Sequence, residues 1–205
     1  MSYQLALALI AFGIVSSITP GPNNLMLMAS GANFGFRPTI PHMLGVALGF
    51  VFMLFLVGIG LVKVFELFPA SFTALKVISS LYLLYLAWKI ANAAPLKTHR
   101  EDEHDGSNAK PFTFLQAAAF QWVNPKAWTM GTTAIAAYTL KDNPSLGVLI
   151  ICTVFLIVNL PCIAIWTFAG TKISQFLNSP SKTRAFNITA AILLIASLYP
   201  AWFGH

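Results

Sequence analysis

Two short stretches carry the residue types best suited to binding a small zwitterion: Thr19-Pro20-Gly21-Pro22-Asn23-Asn24 and Gln121-Trp122-Val123-Asn124-Pro125-Lys126. A proline within a helix removes a backbone N–H and clashes with the carbonyl four residues earlier, so that carbonyl is freed. Pro20 and Pro22 would free the carbonyls of Ser16 and Ile18, and Pro125 that of Gln121. Each stretch also reads as the start of a new half-helix. Gly21 would cap one with Pro22 first, and Asn124 would cap the other with Pro125 first. The free N–H groups of Asn23, Asn24 and Leu25, with the helix dipole behind them, favour an anion. Donors for a carboxylate beside acceptors for an ammonium make a site for the backbone of an amino acid. The bland alternative is two kinks that shape helix packing. The flanking Thr19, Asn23, Asn24, Gln121 and Asn124 favour a lined cavity.

Lys126 adds a charge to this setting. It lies about fifteen residues into an apolar run, too deep for its stem to reach the membrane surface easily. Three readings stand open: it meets a substrate carboxylate, rests on released carbonyls, or titrates during transport. The structural alternative is a charge held by carbonyls and water alone. The six acidic residues are Glu66, Asp142 and the four between Glu101 and Asp105, all in loops or at edges. A basic substrate or a divalent metal would want a buried negative partner, so a neutral zwitterion fits better.

These residues need a membrane around them. Of 205 residues, 57% are hydrophobic and 9% charged, against roughly a quarter charged in soluble domains. The apolar residues come in runs long enough to span a bilayer. Six spans are expected, at residues 4–33, 42–64, 68–93, 112–138, 145–170 and 185–204, giving an all-α polytopic membrane protein. No Lys or Arg precedes Arg37 and no small-residue cleavage pattern follows the first run, so the first span is expected to stay. The net charge of +6 sits in the polar gaps, as in loops facing an anionic bilayer, rather than as a nucleic-acid patch. Loops after spans one, three and five hold eight Lys and Arg, and those after spans two and four hold three. The first set is therefore expected in the cytoplasm and both termini in the periplasm.

The polar stretch 95–110 divides the single membrane domain 1–205 into repeats 1–94 and 111–205 of three spans each. An odd number of spans per half makes the halves inverted if they share a fold. The first span of each carries the proline break, the pattern that points to a transport site in inverted repeats. His99 and His104 in the linker read as solvated residues, and no metal site is expected. Gly45 with Gly49, and Gly31 with Gly35, are spaced for close helix packing. Tyr82, Tyr85, Trp88 and Lys89 read as an interfacial anchor. Trp122, Trp128 and Trp166 are candidate cavity walls, although facing lipid or a neighbouring helix is the commoner fate.

Thr19-Pro20-Gly21-Pro22-Asn23-Asn24, Tyr82-Leu83 leading to Ala87-Trp88-Lys89, and Asn124-Pro125-Lys126 resemble the LysE/RhtB family of bacterial amino-acid exporters. The resemblance runs through nearly the whole chain. It implies secondary export across the inner membrane, driven by proton antiport, with no cofactor. Assembly as a homo-oligomer is left open. Gly49 and Phe50 stand where basic-amino-acid exporters of the superfamily carry an acid, which favours the branch exporting neutral amino acids, cysteine or O-acetylserine. Rival readings are a passive channel and a membrane thiol carrier. The latter is disfavoured because Cys152 and Cys162 would lie about 15 Å apart along one helix. Metal export is weak for want of ligands, and an enzyme lacks an acid/base constellation in the spans.

Overall fold

The computed structural model describes residues 1–61, 67–92, 110–177 and 179–199. The linker reading, including His99 and His104, falls outside these residues apart from Lys110. Every element among the described residues is helical. Helix α1 covers Tyr3–Ile18, α2 Pro22–Phe34, and α3 Phe36–Leu56, the last continuing as a wider turn over Val57–Leu61. Helix α4 covers Pro69–Ala91, and α5 the short Phe114–Phe120. A single tight turn at Gln121–Val123 leads into α6, Pro125–Tyr138. Helix α7 covers Pro144–Ser174 and α8 Pro180–Ala196.

Local chemistry sets these boundaries. Pro22, Pro69, Pro125, Pro144 and Pro180 all stand in the first turn of their helices, where a missing N–H costs nothing. Ser2, Thr113, Asn124, Asn143 and Ser179 cap the N-termini of their helices through side-chain oxygens. Helix α8 begins at Pro180, behind its Ser179 cap and five residues before the expected start at 185, and it takes in the charges Lys182 and Arg184.

The helices Phe36–Leu61, Thr73–Ala91 and Pro144–Ser174 are each long and apolar enough to cross a membrane. The pair Tyr3–Ile18 and Pro22–Phe34, bent by 53°, joins them as one broken span or a re-entrant element. Large apolar side chains such as Val15, Phe52, Leu81, Ile157 and Ile192 face outward. A soluble monomer rarely exposes so continuous an apolar surface, whereas a lipid-facing one must.

Inside, α7 is the central post. Helices α1, α2 and α3 pack along it, while α3 also packs on α5 and α4 on α8. Glycines permit the tightest approaches. A Cβ on Gly31 would strike the Thr167 carbonyl, and one on Gly170 would strike the Met28 carbonyl, so α2 and α7 touch backbone to backbone. On α3, a Cβ at Gly49 would come within 2.5 Å of the Ala118 Cα, and one at Gly45 would meet the Phe114 carbonyl. Gly35 departs from the packing expectation. It has open space around it and joins α2 to α3 with φ 84°, a left-handed value that favours glycine.

Candidate functional site at the two helix breaks

The extended Thr19–Gly21 segment leaves a cluster of carbonyls without helical partners, and side chains satisfy them one by one. Thr19 Oγ1 donates to the Ser16 carbonyl at 3.0 Å. Asn24 Nδ2 donates to the carbonyls of Ser17 and Thr19, each at 2.8 Å. The indole N–H of Trp166, from α7, reaches the Ile18 carbonyl at 2.9 Å. The carbonyls of Ser16 and Ile18, which the prolines were expected to leave for a ligand, are therefore already bonded.

The acceptors that meet an ammonium lie one step further along the chain. Lys126 Nζ donates to the Thr19 carbonyl at 2.7 Å, to Thr19 Oγ1 at 2.9 Å and to the Pro20 carbonyl at 3.3 Å. Three oxygens match the three donors of an ammonium. The lysine of the second break thus occupies a cage built from the first. Of the three readings of Lys126, the geometry is that of rest on released carbonyls. Gly21 makes the approach feasible, since a Cβ there would lie 2.6 Å from Lys126 Cδ. Its own backbone is extended, so the requirement is space rather than dihedral freedom.

The first turn of α2 begins beside this cage. Leu25 donates its N–H to the Gly21 carbonyl at 3.0 Å, so it does not join the free donors expected there. Gly21 has no side chain to cap Asn23 and Asn24. At the start of α6, by contrast, Asn124 Oδ1 accepts the Lys126 N–H at 3.1 Å.

A cleft of about 340 Å³, counting its open mouth, is lined by Gly21, Asn23, Asn24, Asn124 and Lys126. The structure brings these five together with Thr19 and Pro20, which hold the lysine. Pro22 and Pro125 stand just behind them as first helical residues. Gln121 does not line the cleft. It is fully buried, and its amide pairs reciprocally with that of Asn23 at 2.8 and 3.1 Å, tying one break to the other. The lining is completed by Ser16 and Phe50, which the sequence suggested only in other roles, and by Ser17, Ala127, Met130, Asn159 and Ile163, which it did not suggest. Asn159 had a visible signal: an amide in a strongly apolar run, two residues before Pro161. Among the lining residues Lys126 alone can change charge.

Trp122 and Trp128 meet edge to face at 6.1 Å, and the Trp128 indole N–H donates to the Trp122 carbonyl at 2.9 Å. They support the second break and do not line the cleft. Cys152 and Cys162 are free and buried, and neither lines the cleft.

Residues 14–197 match the protein family described as LysE type translocator. A cysteine/O-acetylserine efflux protein of Escherichia coli O139:H28 is 31% identical over 197 residues, covering 95% of this chain and 96% of that protein. The cysteine/O-acetylserine efflux protein of Escherichia coli K12 is 30% identical over the same length and shares. One from Shigella flexneri is 31% identical over 186 residues, covering 90% of each chain. No solved structure matches the chain. Apolar helices, paired breaks around a polar cleft and a family match along almost the whole length agree. The chain is a membrane translocator, not an enzyme, and belongs to the LysE type translocator family.

Proposed function

We propose that this protein exports small neutral amino acids across the bacterial inner membrane in exchange for protons, with Lys126 as the coupling group. One observation carries the reading: the Lys126 ammonium fills an acceptor cage suited to the ammonium of a substrate. The two cations compete for the same oxygens. A substrate entering from the cytoplasm takes the cage when Lys126 gives up its proton on that side. The substrate carboxylate then meets the uncapped N–H groups of Asn23 and Asn24 at the start of α2. After release outside, Lys126 takes a proton there, refills the cage and returns. Each cycle moves a proton inward as the substrate moves outward. A passive channel would not need its cage occupied on the return step.

The neutral substrate is supported by the cleft lining, which holds no carboxylate. It is also supported by the relatives, named for efflux of cysteine and O-acetylserine. Six spans in two inverted halves are supported by the packing. Helix α1 lies on α7 as α5 lies on α3, α2 touches α3 as α6 touches α7, and α3 meets α7 as α4 meets α8. An exchange of halves preserves these neighbours. The departure is α2, which packs along α7 far more closely than α6 does along α3. The excess of Lys and Arg after spans one, three and five supports cytoplasmic placement of those loops and periplasmic termini.

The test is transport in proteoliposomes. An imposed pH gradient is expected to drive neutral amino acids against their own gradient. Lys126→Met is expected to remove that drive while leaving substrate-for-substrate exchange. Exchange without any pH drive in the unmodified protein would overturn the coupling, and no exchange of any amino acid would overturn the substrate class.

A further inference from the structure

One buried titratable group takes no part in the exchange cycle. His42 of α3 is 2% exposed, and neither of its ring nitrogens has a hydrogen-bond partner among the described residues. It stands against the Phe112 ring, centroids 5.2 Å apart and tilted by 57°. A neutral imidazole carries one donor and one acceptor, and burying both unbonded costs stability. An imidazolium there would lack water and a counter-ion as well. Helices α2 and α5, which pack on α3, carry no titratable residue. Its other neighbours carry Cys152, Cys162 and Lys172 on α7 and Lys126 and Tyr138 on α6. Arg37 lies on α3 itself, and Lys110 stands two residues before Phe112. The only acidic residue among the described ones, Asp142, lies between α6 and α7. Cys152, ten residues beyond it, meets the Val51 carbonyl, already nine residues along α3 from His42.

The ring sits beside the seal of the cleft. Ile163 lines the cleft and also packs with Met43, Val46, Ala47 and Ala117 in a cluster against which Phe112 rests. This cluster closes the cleft towards the end where α3 begins. Two weak joints lie there. Gly35 joins α2 to α3 with φ 84°, and Pro41 frees the Arg37 carbonyl inside the helix. A side-chain bond between Ser30 and Thr39, at 2.9 Å, ties the first turn of α3 to α2. We propose that His42 makes this seal a proton-sensitive gate. The seal closes only around the neutral ring. When α3 and α5 part, water reaches the imidazole and protonates it, and the seal cannot close again until that proton leaves. Acid therefore holds the cleft open at this end, whatever the substrate and whatever drives its exchange.

The experiment times the reaction of a buried cysteine in the seal with a water-soluble thiol reagent, using the full chain in detergent. Ala47→Cys, fully buried in the cluster, is placed in a chain carrying Cys152→Ala and Cys162→Ala. Rates are compared between His42 and His42→Gln at each pH, so that ionisation of the thiol itself cancels in the ratio. A hydrated imidazole titrates near about 6.5, so between about pH 7.5 and about pH 5.5 that ratio is expected to rise about tenfold. His42→Leu leaves no unbonded polar atom behind, and at the higher pH its labelling is expected to be about tenfold slower than that of the His42 chain. His42→Leu also serves as the reference should His42→Gln fail to fold, and Ala117→Cys reads the same opening from α5 should Ala47→Cys fail. A ratio that does not change with pH, or His42→Leu labelled as fast as the His42 chain, would overturn the gate. So would a seal cysteine that reacts in no chain at either pH.

Discussion

The two helix breaks start from the same device, a proline that begins a new helix, yet they are closed in opposite ways. The second break is closed from within. Gln121 Nε2 returns to the Ala117 carbonyl at 2.9 Å, Asn124 N–H to the Gln121 carbonyl at 3.3 Å, and the Trp128 indole to the Trp122 carbonyl. Asn124 caps its own helix. The first break is closed partly from outside, by Trp166 of α7 and Lys126 of α6. A break satisfied by its own residues holds its shape when neighbouring helices move. One satisfied by groups on other helices changes partners when they move. The second break is thus a mount that presents Lys126, and the first is the socket that receives it or the substrate.

Substitutions can separate mount from socket. The largest effect is expected from Lys126→Met, which empties the socket and removes the proton carrier. Net export from cells is expected to fall to the background of cells lacking the protein, with the membrane level unchanged. Gly21→Ala comes next. Its methyl group pushes the Lys126 stem off the cage, and a misplacement of this kind costs up to about a hundredfold in rate. The flexible lysine end can move aside, so little change in melting temperature is expected in detergent.

Breaking the link between the regions should act on stability. Asn23→Leu leaves the buried Gln121 Oε1 without its donor, and Gln121→Leu leaves the Asn23 amide without its partner, each at a cost of about 1–3 kcal/mol. Thermal unfolding of both single variants and the double variant forms a cycle. The double variant is expected to recover part of the loss, because no amide atom that had bonded across the pair is left without its partner. The smallest effects come from the two tryptophans. Trp166→Phe and Trp128→Phe each remove one indole donor, about 1 kcal/mol apiece. Trp166→Phe is expected to lower the transport rate as well, because it opens the socket. Trp128→Phe is expected to shift the melting temperature alone. Equal transport losses in both would erase the distinction between socket and mount.

Much of this was legible in the chain itself, because proline, capping residues and a lone lysine in an apolar run act locally. Pro20, Pro22 and Pro125 mark both breaks, and Asn124 caps α6 by a rule that needs no tertiary information. What the sequence could not disclose is which distant group answers which freed carbonyl. Trp166 lies 148 residues from Ile18, and the Asn23–Gln121 pair spans 98. Pairings at that range follow from helix packing, set by contacts such as Gly31 on Thr167 and Gly170 on Met28. The wide turn at Val57–Leu61 also gave no local signal, although Gly60 within it takes φ 115°. Asn159 was readable as an amide out of place, but only the packing of α7 among its neighbours brings it to the cleft.

The most direct test is proton release on substrate binding, measured with purified protein in weakly buffered detergent solution. If substrate and Lys126 compete for the Thr19 and Pro20 oxygens as described, binding of a neutral amino acid releases about one proton per substrate, and none from Lys126→Met. Saturable binding to the unmodified protein with no proton released would contradict it.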